Sequence, residues 1–326
     1  MLAGGKGAAA TAIKVSGKVI DPSKVTKEDV IGAVDPSTGA ETGAQVIRQV
    51  YPRLGIVPGL ILAPGWSQIP EVGLALAAKA AKINGVYSAM ALLDLDTAKA
   101  KKYTDTKSVK EESGYTSPFC YPLWPCDRVG EYILAKSAVT GAMIQYMASD
   151  NEDVPNQSPS NHLLGVGGQC LEDGTEVYLD QDQANTVNGY GVTTAINQNG
   201  YRLWGNYTGA YPASSDAKDI WFAVRRMFSW QGNNFIQTYF DEVDDPMNNV
   251  LVQSVVDSEN IRCSAYAPKY WAGASIEYKS DDNPKTAILA GTMKFRQHIA
   301  PYTPAQEIVD IIDYDTDTLA AAVGGN

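Results

Sequence analysis

The residues with the clearest chemical potential are four: Gly165-Val166-Gly167-Gly168, inside Leu163–Gly168. Backbone N–H groups bared by such a loop can cradle phosphate. A dinucleotide fingerprint needs a further glycine and a helix opening directly behind it. Here Gln169-Cys170-Leu171-Glu172-Asp173-Gly174 follows and reads as a turn. Gly4-Gly5-Lys6-Gly7 lacks the hydroxyl and spacing of a P-loop. Asp94 and Asp96 close an apolar run, the strand end where α/β proteins place ligand sites. They could hold Mg2+ or work as a carboxylate pair, although no third oxygen ligand stands near and carboxylates at strand ends are commonly solvated. His162 and His298 are the two histidines, and no G-x-S-x-G elbow occurs. Acid–base chemistry near neutral pH therefore has few carriers. A nucleotide- or metal-binding α/β enzyme using Gly165–Gly168 or Asp94/Asp96 is the alternative reading; neither cofactor nor metal is expected under the main one.

The remaining reactive types point the same way. Cys120, Cys126, Cys170 and Cys263 are few and scattered, and the six-residue step from Cys120 to Cys126 is not a zinc spacing. They read as reduced, buried thiols. Arg225-Arg226 lies mid-helix between Trp221 and Trp230 and suits either an interface or internal ion pairs. Lys and Arg total 26 against 37 Asp and Glu, a net charge of −11. An acidic surface repels phosphate backbones, so nucleic acid is a poor partner. No apolar run approaches the ~18 residues of a spanning helix.

Elements that would position these residues come next. Residues 12–20 alternate with period two and predict a strand; Asp35-Pro36-Ser37-Thr38-Gly39 predicts a turn. Residues 44–51 predict a short helix. Residues 56–63 and 88–94 predict buried strands, with a third over 117–124. Between the first two, Pro70 opens a helix through Ala81, with Leu74, Ala77, Ala78 and Ala81 on its apolar face. A long helix is expected over Val129–Met147. Strand–helix alternation implies an α/β layer with parallel strands. The polar, proline-bearing stretch 149–160 suggests a boundary near residue 156, dividing 1–155 from 156–326. Beyond it, Asn199-Gly200 supplies the positive φ of a hairpin joining 192–196 to 201–204. Helices are expected over 216–240 and from Pro246 to Glu259, then strands over 274–279, 287–299 and 306–314. That half reads as α+β, with a mixed or antiparallel sheet.

Asn188, Gly191-Val192-Thr193-Thr194-Ala195-Ile196 and Gly200-Tyr201-Arg202-Leu203-Trp204-Gly205-Asn206-Tyr207-Thr208 together resemble the signature of contractile phage tail sheath proteins. That family includes the sheaths of pyocin-like particles and other contractile injection systems. Ser158-Pro159-Ser160-Asn161, Phe222-Ala223-Val224-Arg225-Arg226 and Leu60-Ile61-Leu62-Ala63-Pro64-Gly65 resemble further family segments in order. The resemblance runs from about residue 28 to the end. It implies an α+β protein overall: an α/β middle domain, then an α+β sheath core. It implies a structural role without cofactors, in which subunits stack around an inner tube and contract by rigid-body rearrangement. The partners implied are other sheath subunits, the inner tail tube protein, the baseplate and the tail terminator, with no nucleic acid and no membrane insertion. The setting implied is a virion tail made in the bacterial host cytoplasm. Gly200, Arg202, Leu203, Trp204, Gly205 and Asn206 are then architectural. Arg225 and Arg226 become candidates for tube or neighbour contact, and Ile308, Val309, Ile311, Ile312 and Leu319 for an inter-subunit strand or arm. Family members carry a further segment before the matching region, so the chain is expected to start inside that region and to be monomeric or weakly oligomeric in solution.

Overall fold

The computed structural model describes residue 17 and residues 21–324. The strand expected over 12–20 lies outside the described residues apart from Gly17. Helix α1 (Lys27–Ile31) is closed by a capping box between Thr26 and Asp29. The turn at Asp35 forms as expected, its carboxylate accepting from Ser37 and Thr38. The helix expected over 44–51 is a 3-10 segment, Gly43–Gln49, that runs into α2 (Val50–Leu54).

Three parallel strands follow: β1 (Leu60–Leu62), β2 (Met90–Asp94) and β3 (Cys120–Leu123), with β2 central. Helix α3 (Pro70–Ala81) connects β1 to β2, and α4 (Thr106–Ser113) precedes β3. The α3 face differs from expectation. Val72, Gly73, Leu76, Ala77 and Ala80 are buried, while Leu74 is 45% exposed. Gly73 decides the rotation: a Cβ there would fall 2.1 Å from the Tyr115 hydroxyl, so the helix presents its smallest residue to that ring. Residues of β2 alternate between two cores. Ala91 and Leu93 pack with α3; Met90 and Leu92 pack on the opposite face. Burial on both faces is what a parallel sheet requires.

The long helix expected from Val129 is shorter. Strands β4 (Cys126–Val129) and β5 (Tyr132–Leu134) form a hairpin first, turning at Gly130 with φ 60°, and α5 (Lys136–Ser149) begins only then. Two carboxylates fix that start. Asp127 takes the fully buried Lys136 ammonium. Asp94 accepts from the Ser137 N–H at 2.8 Å and its hydroxyl at 2.5 Å, acting as a remote N-terminal cap. Ile133, expected on the helix, sits on the hairpin and is 37% exposed.

After residue 156 the chain returns to the same layers. Strand β6 (Gly168–Cys170) pairs with β4; helix α6 (Gln181–Gly189) follows. Strands β7 (Thr194–Asn197) and β8 (Tyr201–Trp204) form the expected hairpin, with Asn199 and Gly200 at φ 54° and 106°. Leu203 is wholly buried against Tyr121 and Leu92 in the core formed by the other sheet face.

The single helix expected over 216–240 is split. Helices α7 (Ala217–Ile220) and α8 (Phe222–Thr238) flank Trp221, which is extended because Asn206–Thr208 pairs across Ile220–Phe222. Helix α9 (Asn249–Ala265) starts at an Asn248 cap, later than Pro246, and buries Leu251, Val255 and Cys263 while Val250 is exposed. Strands β9 (Trp271–Glu277) and β10 (Arg296–Pro301) form an antiparallel pair, separated by α10 (Lys285–Leu289) where strand was expected. The strand expected over 306–314 finds no strand partner among the described residues: those residues take no regular secondary structure and are exposed, and α11 (Thr316–Ala322) follows.

Candidate assembly interface

The chemistry first suspected dissolves into structure. Asp94 bonds Ser67 and Ser137, and burial pushes its carboxyl up. Asp96 caps a turn through the Ala98 N–H at 2.9 Å. No group of three metal-ligating side chains occurs among the described residues. Gly165 turns with φ 68°, but Gly168 enters β6 and no helix opens behind the loop.

The 200–206 segment is a junction. Gly200 accepts a bond from the Gln198 N–H at 3.0 Å and closes the hairpin. Arg202 donates to the Gln198 carbonyl at 3.2 Å and the Asn161 carbonyl at 2.8 Å. Main-chain bonds from Asn161 to Leu203, Leu203 to His162 and Leu164 to Tyr201 then lay residues 161–164 along β8. Trp204 donates its indole N–H to Asn185 at 2.8 Å. Gly205 has φ 145°, and a Cβ there would meet Thr193 Cα at 2.8 Å, so only glycine allows that approach. Tyr121 seals the contact by donating to the Gly205 carbonyl at 2.6 Å.

The two arginines differ. Arg225 is engaged inside the chain: it pairs with Asp219 at 3.2 Å and lies 4.7 Å from the Phe119 ring. Arg226 forms no ion pair among the described residues. It rests over Phe222 and borders a cleft with Leu60, Met90, Gln145 and Ser229. Burial lowers its guanidinium to about 10.

The C-terminal run is a contiguous stretch of exposed apolar residues among the described residues. Ile308 is 89% exposed and Ile312 86%, with Val309, Ile311, Tyr314 and Leu319 also exposed. Such side chains are normally withdrawn from water, and a contiguous exposed set marks an interaction surface. The run is anchored at its root, where Tyr207 donates to Gln306 at 2.6 Å from a stack with Tyr211 and Trp221. The sequence gives no signal for this anchor, because its partners are 99 residues apart. Nor does it signal Glu259, wholly buried, which gathers Gln231, Arg262 and Gln297 and so ties α8, α9 and β10 into one body. Replacing Tyr207 by Phe removes the anchor bond, worth about 1 kcal/mol. Proteolytic cleavage within residues 304–314 is expected to accelerate several-fold, with the global unfolding temperature almost unchanged.

What the described residues leave uncovered is the C-terminal run, and no group of catalytic or metal-ligating side chains gathers beside it. No protein-family model matches the chain. Known proteins of similar sequence are tail sheath proteins. That of Burkholderia phage BcepMu is 26% identical over 97% of this chain and 68% of its own length. That of Escherichia phage P2 is 23% identical over 87% of this chain and 69% of its own. Among solved structures, the contracted sheath complex of the extracellular contractile injection system PVC superposes with a TM-score of 0.66. It is 17% identical over 85% of this chain and 76% of its own. The chain is thus similar in sequence to tail sheath proteins of several phages and in fold to sheaths of contractile injection systems. Its role is that of a structural tail component, not of an enzyme.

Proposed function

We propose that this chain polymerises around an inner tube, docks on a baseplate and ends at a tail terminator, and that its contraction drives the tube through a cell envelope. It would be made in the bacterial host cytoplasm and act in the particle's tail, without binding nucleic acid or inserting into membrane. The observation that carries this reading is the exposed, unpaired run Ile308–Tyr314. An extended segment with bare backbone joins a neighbour most economically by β-augmentation. Two unpaired main-chain surfaces can accept it: the outer edges of the β9–β10 pair, too small a sheet to be stable alone, and the run's own backbone.

Contraction on this reading is a rigid-body rearrangement hinged at the arms. The Glu259 network and the shared core keep each subunit stiff while the arms flex. On this reading most of residues 1–155 would lie outward and residues 156–326 would carry the arm, although the two stretches share one sheet and one core. Arg226, which meets no carboxylate among the described residues, is the better of the two arginines for a neighbour or tube contact. The net charge of −11 favours a basic partner. Negative-stain microscopy of the chain, alone and with the tube protein of its particle, is expected to show striated hollow cylinders in the mixture. A chain truncated after residue 304 should give none. Dispersed particles from the intact chain under both conditions would overturn the reading.

A further inference from the structure

An open cleft of about 810 Å³ runs between α5, α8 and the 55–60 stretch that leads into β1. Arg226, Ser229, Asn233 and Gln237 recur every three or four residues along α8, so all four face it. Asn233 is engaged: its amide donates to the Ser88 carbonyl at 2.8 Å and accepts from the Ser88 N–H at 2.9 Å, which ties α8 to the chain just ahead of β2. Ser229 is not. It is 6% exposed, and its Oγ is fully buried without a hydrogen-bond partner among the described residues. Arg226 lies over the Phe222 ring at 5.5 Å, and among the described residues neither a hydrogen bond nor a carboxylate acts on its guanidinium. Asp153, at the rim of the cleft, is exposed and forms no ion pair with it. A half-buried cation and a buried hydroxyl, one helical turn apart and both without partners, point to an acceptor from outside the chain.

The chemistry of the wall selects the occupant. A guanidinium presents parallel N–H donors that match the two oxygens of a carboxylate. The Ser229 hydroxyl adds a further donor on the same face of α8. One cation and one hydroxyl are few for the charge of a phosphate. Beside them the wall is apolar: Leu60, Leu62 and Trp230 are half-buried, and Met90 is wholly buried. Small-molecule sites combine such a surface with a few fixed polar groups.

We infer that this cleft binds a small organic carboxylate with an apolar body, its carboxylate held by Arg226 and Ser229 and its body against Leu60, Leu62, Met90 and Trp230. The inference stands on the cleft alone and does not require the sheath-subunit reading. A ligand seated there joins α5, α8 and the segment before β1, so it stabilises the folded chain by mass action. It also excludes an acidic side chain of a neighbour from Arg226, so the two uses of that arginine are alternatives.

Hexanoate is the probe, titrated calorimetrically into the full chain at fixed ionic strength near neutral pH, where a guanidinium at about 10 is still charged. Saturable binding at one site is expected, with an unfolding midpoint that rises with hexanoate concentration. Acetate, which lacks the apolar body, should bind at least about tenfold more weakly. Hexylamine, which reverses the charge, should not compete. Arg226→Gln should weaken hexanoate binding by at least about tenfold, and Arg226→Lys, which keeps the charge without the planar fork, should lose most of the affinity as well. Ser229→Ala should weaken it about threefold or more and leave the ligand-free chain no less stable, since the hydroxyl it removes has no partner. If Arg226→Gln misfolds, Ser229→Ala decides. No saturable binding, or equal affinity in the parent chain and the deciding variant, would overturn the site. Inorganic phosphate or hexylamine binding as tightly as hexanoate would overturn the ligand class. Neither result bears on the sheath reading, which the assembly experiment tests by itself.

Discussion

Gly205→Ala is expected to destabilise the chain by about 3–5 kcal/mol, combining overpacking with a backbone conformation that L-residues avoid. Its φ of 145° is one part of the penalty. The other is distance: the new methyl would lie 2.6 Å from Thr193 Oγ1 and 2.8 Å from Thr193 Cα. The hydroxyl could rotate away, but the Cα is backbone. Thr193 itself is bonded to β3, through its N–H to Pro122 and its carbonyl to Trp124. Relief would therefore have to move β3 or the hairpin, and both belong to the core around Leu203. Differential scanning fluorimetry should show a drop of roughly 10 °C in the unfolding midpoint, using about 2–4 °C per kcal/mol for chains somewhat shorter than this one. Gly189→Ala is the control, since a methyl there meets open space at ordinary φ, and no loss is expected. Equal stability of Gly205→Ala and the parent chain would show that the close approach is not real.

Asp127→Ala should cost about 3–5 kcal/mol by a different route. Asp127 and Lys136 have side chains with 0% exposure, and they face each other across the start of α5. Removing the carboxylate leaves an ammonium without counter-charge in the core, where water cannot reach it. Asp127 has one oxygen, Oδ2, without a partner, so the pair is already imperfectly satisfied. Replacing both residues, as Asp127→Leu with Lys136→Met, should recover most of the loss, because the desolvation of two charges disappears along with their attraction. Chemical denaturation of the single and double variants measures this directly. A single variant as stable as the double would mean that Lys136 finds solvent, against its burial.

Both sites show how far sequence reasoning reaches. Asp127 stands just ahead of the helix expected over Val129–Met147 and Lys136 inside it, and their pairing becomes visible only when β4 and β5 fold ahead of Lys136. Ile133 and Met143 are simply both apolar, and Gly130 is the available sign that the run breaks. Trp221 shows the same limit. Nothing local distinguishes it from a helix interior; pairing with Asn206–Thr208 stretches it. Leu74 was assigned to the core by hydrophobicity, whereas Gly73 won that face because a tyrosine from beyond α4 needed the space.

What the amino-acid sequence by itself determined was local or short in range. Turn residues placed Asp35 and Asn199-Gly200, Pro70 placed the start of α3, and unbroken apolar runs marked the three parallel strands. The string from Gly200 to Thr208 carried the family, since its glycines and large apolar residues answer to one close-packed junction. Tertiary structure alone decided which carboxylates are buried, that Arg225 is held by Asp219 while Arg226 is not, and that residues 308–314 find no strand partner among the described residues. Those outcomes depend on groups that meet across tens of residues, where a side chain's chemistry is set by what packs against it and not by its neighbours in the chain.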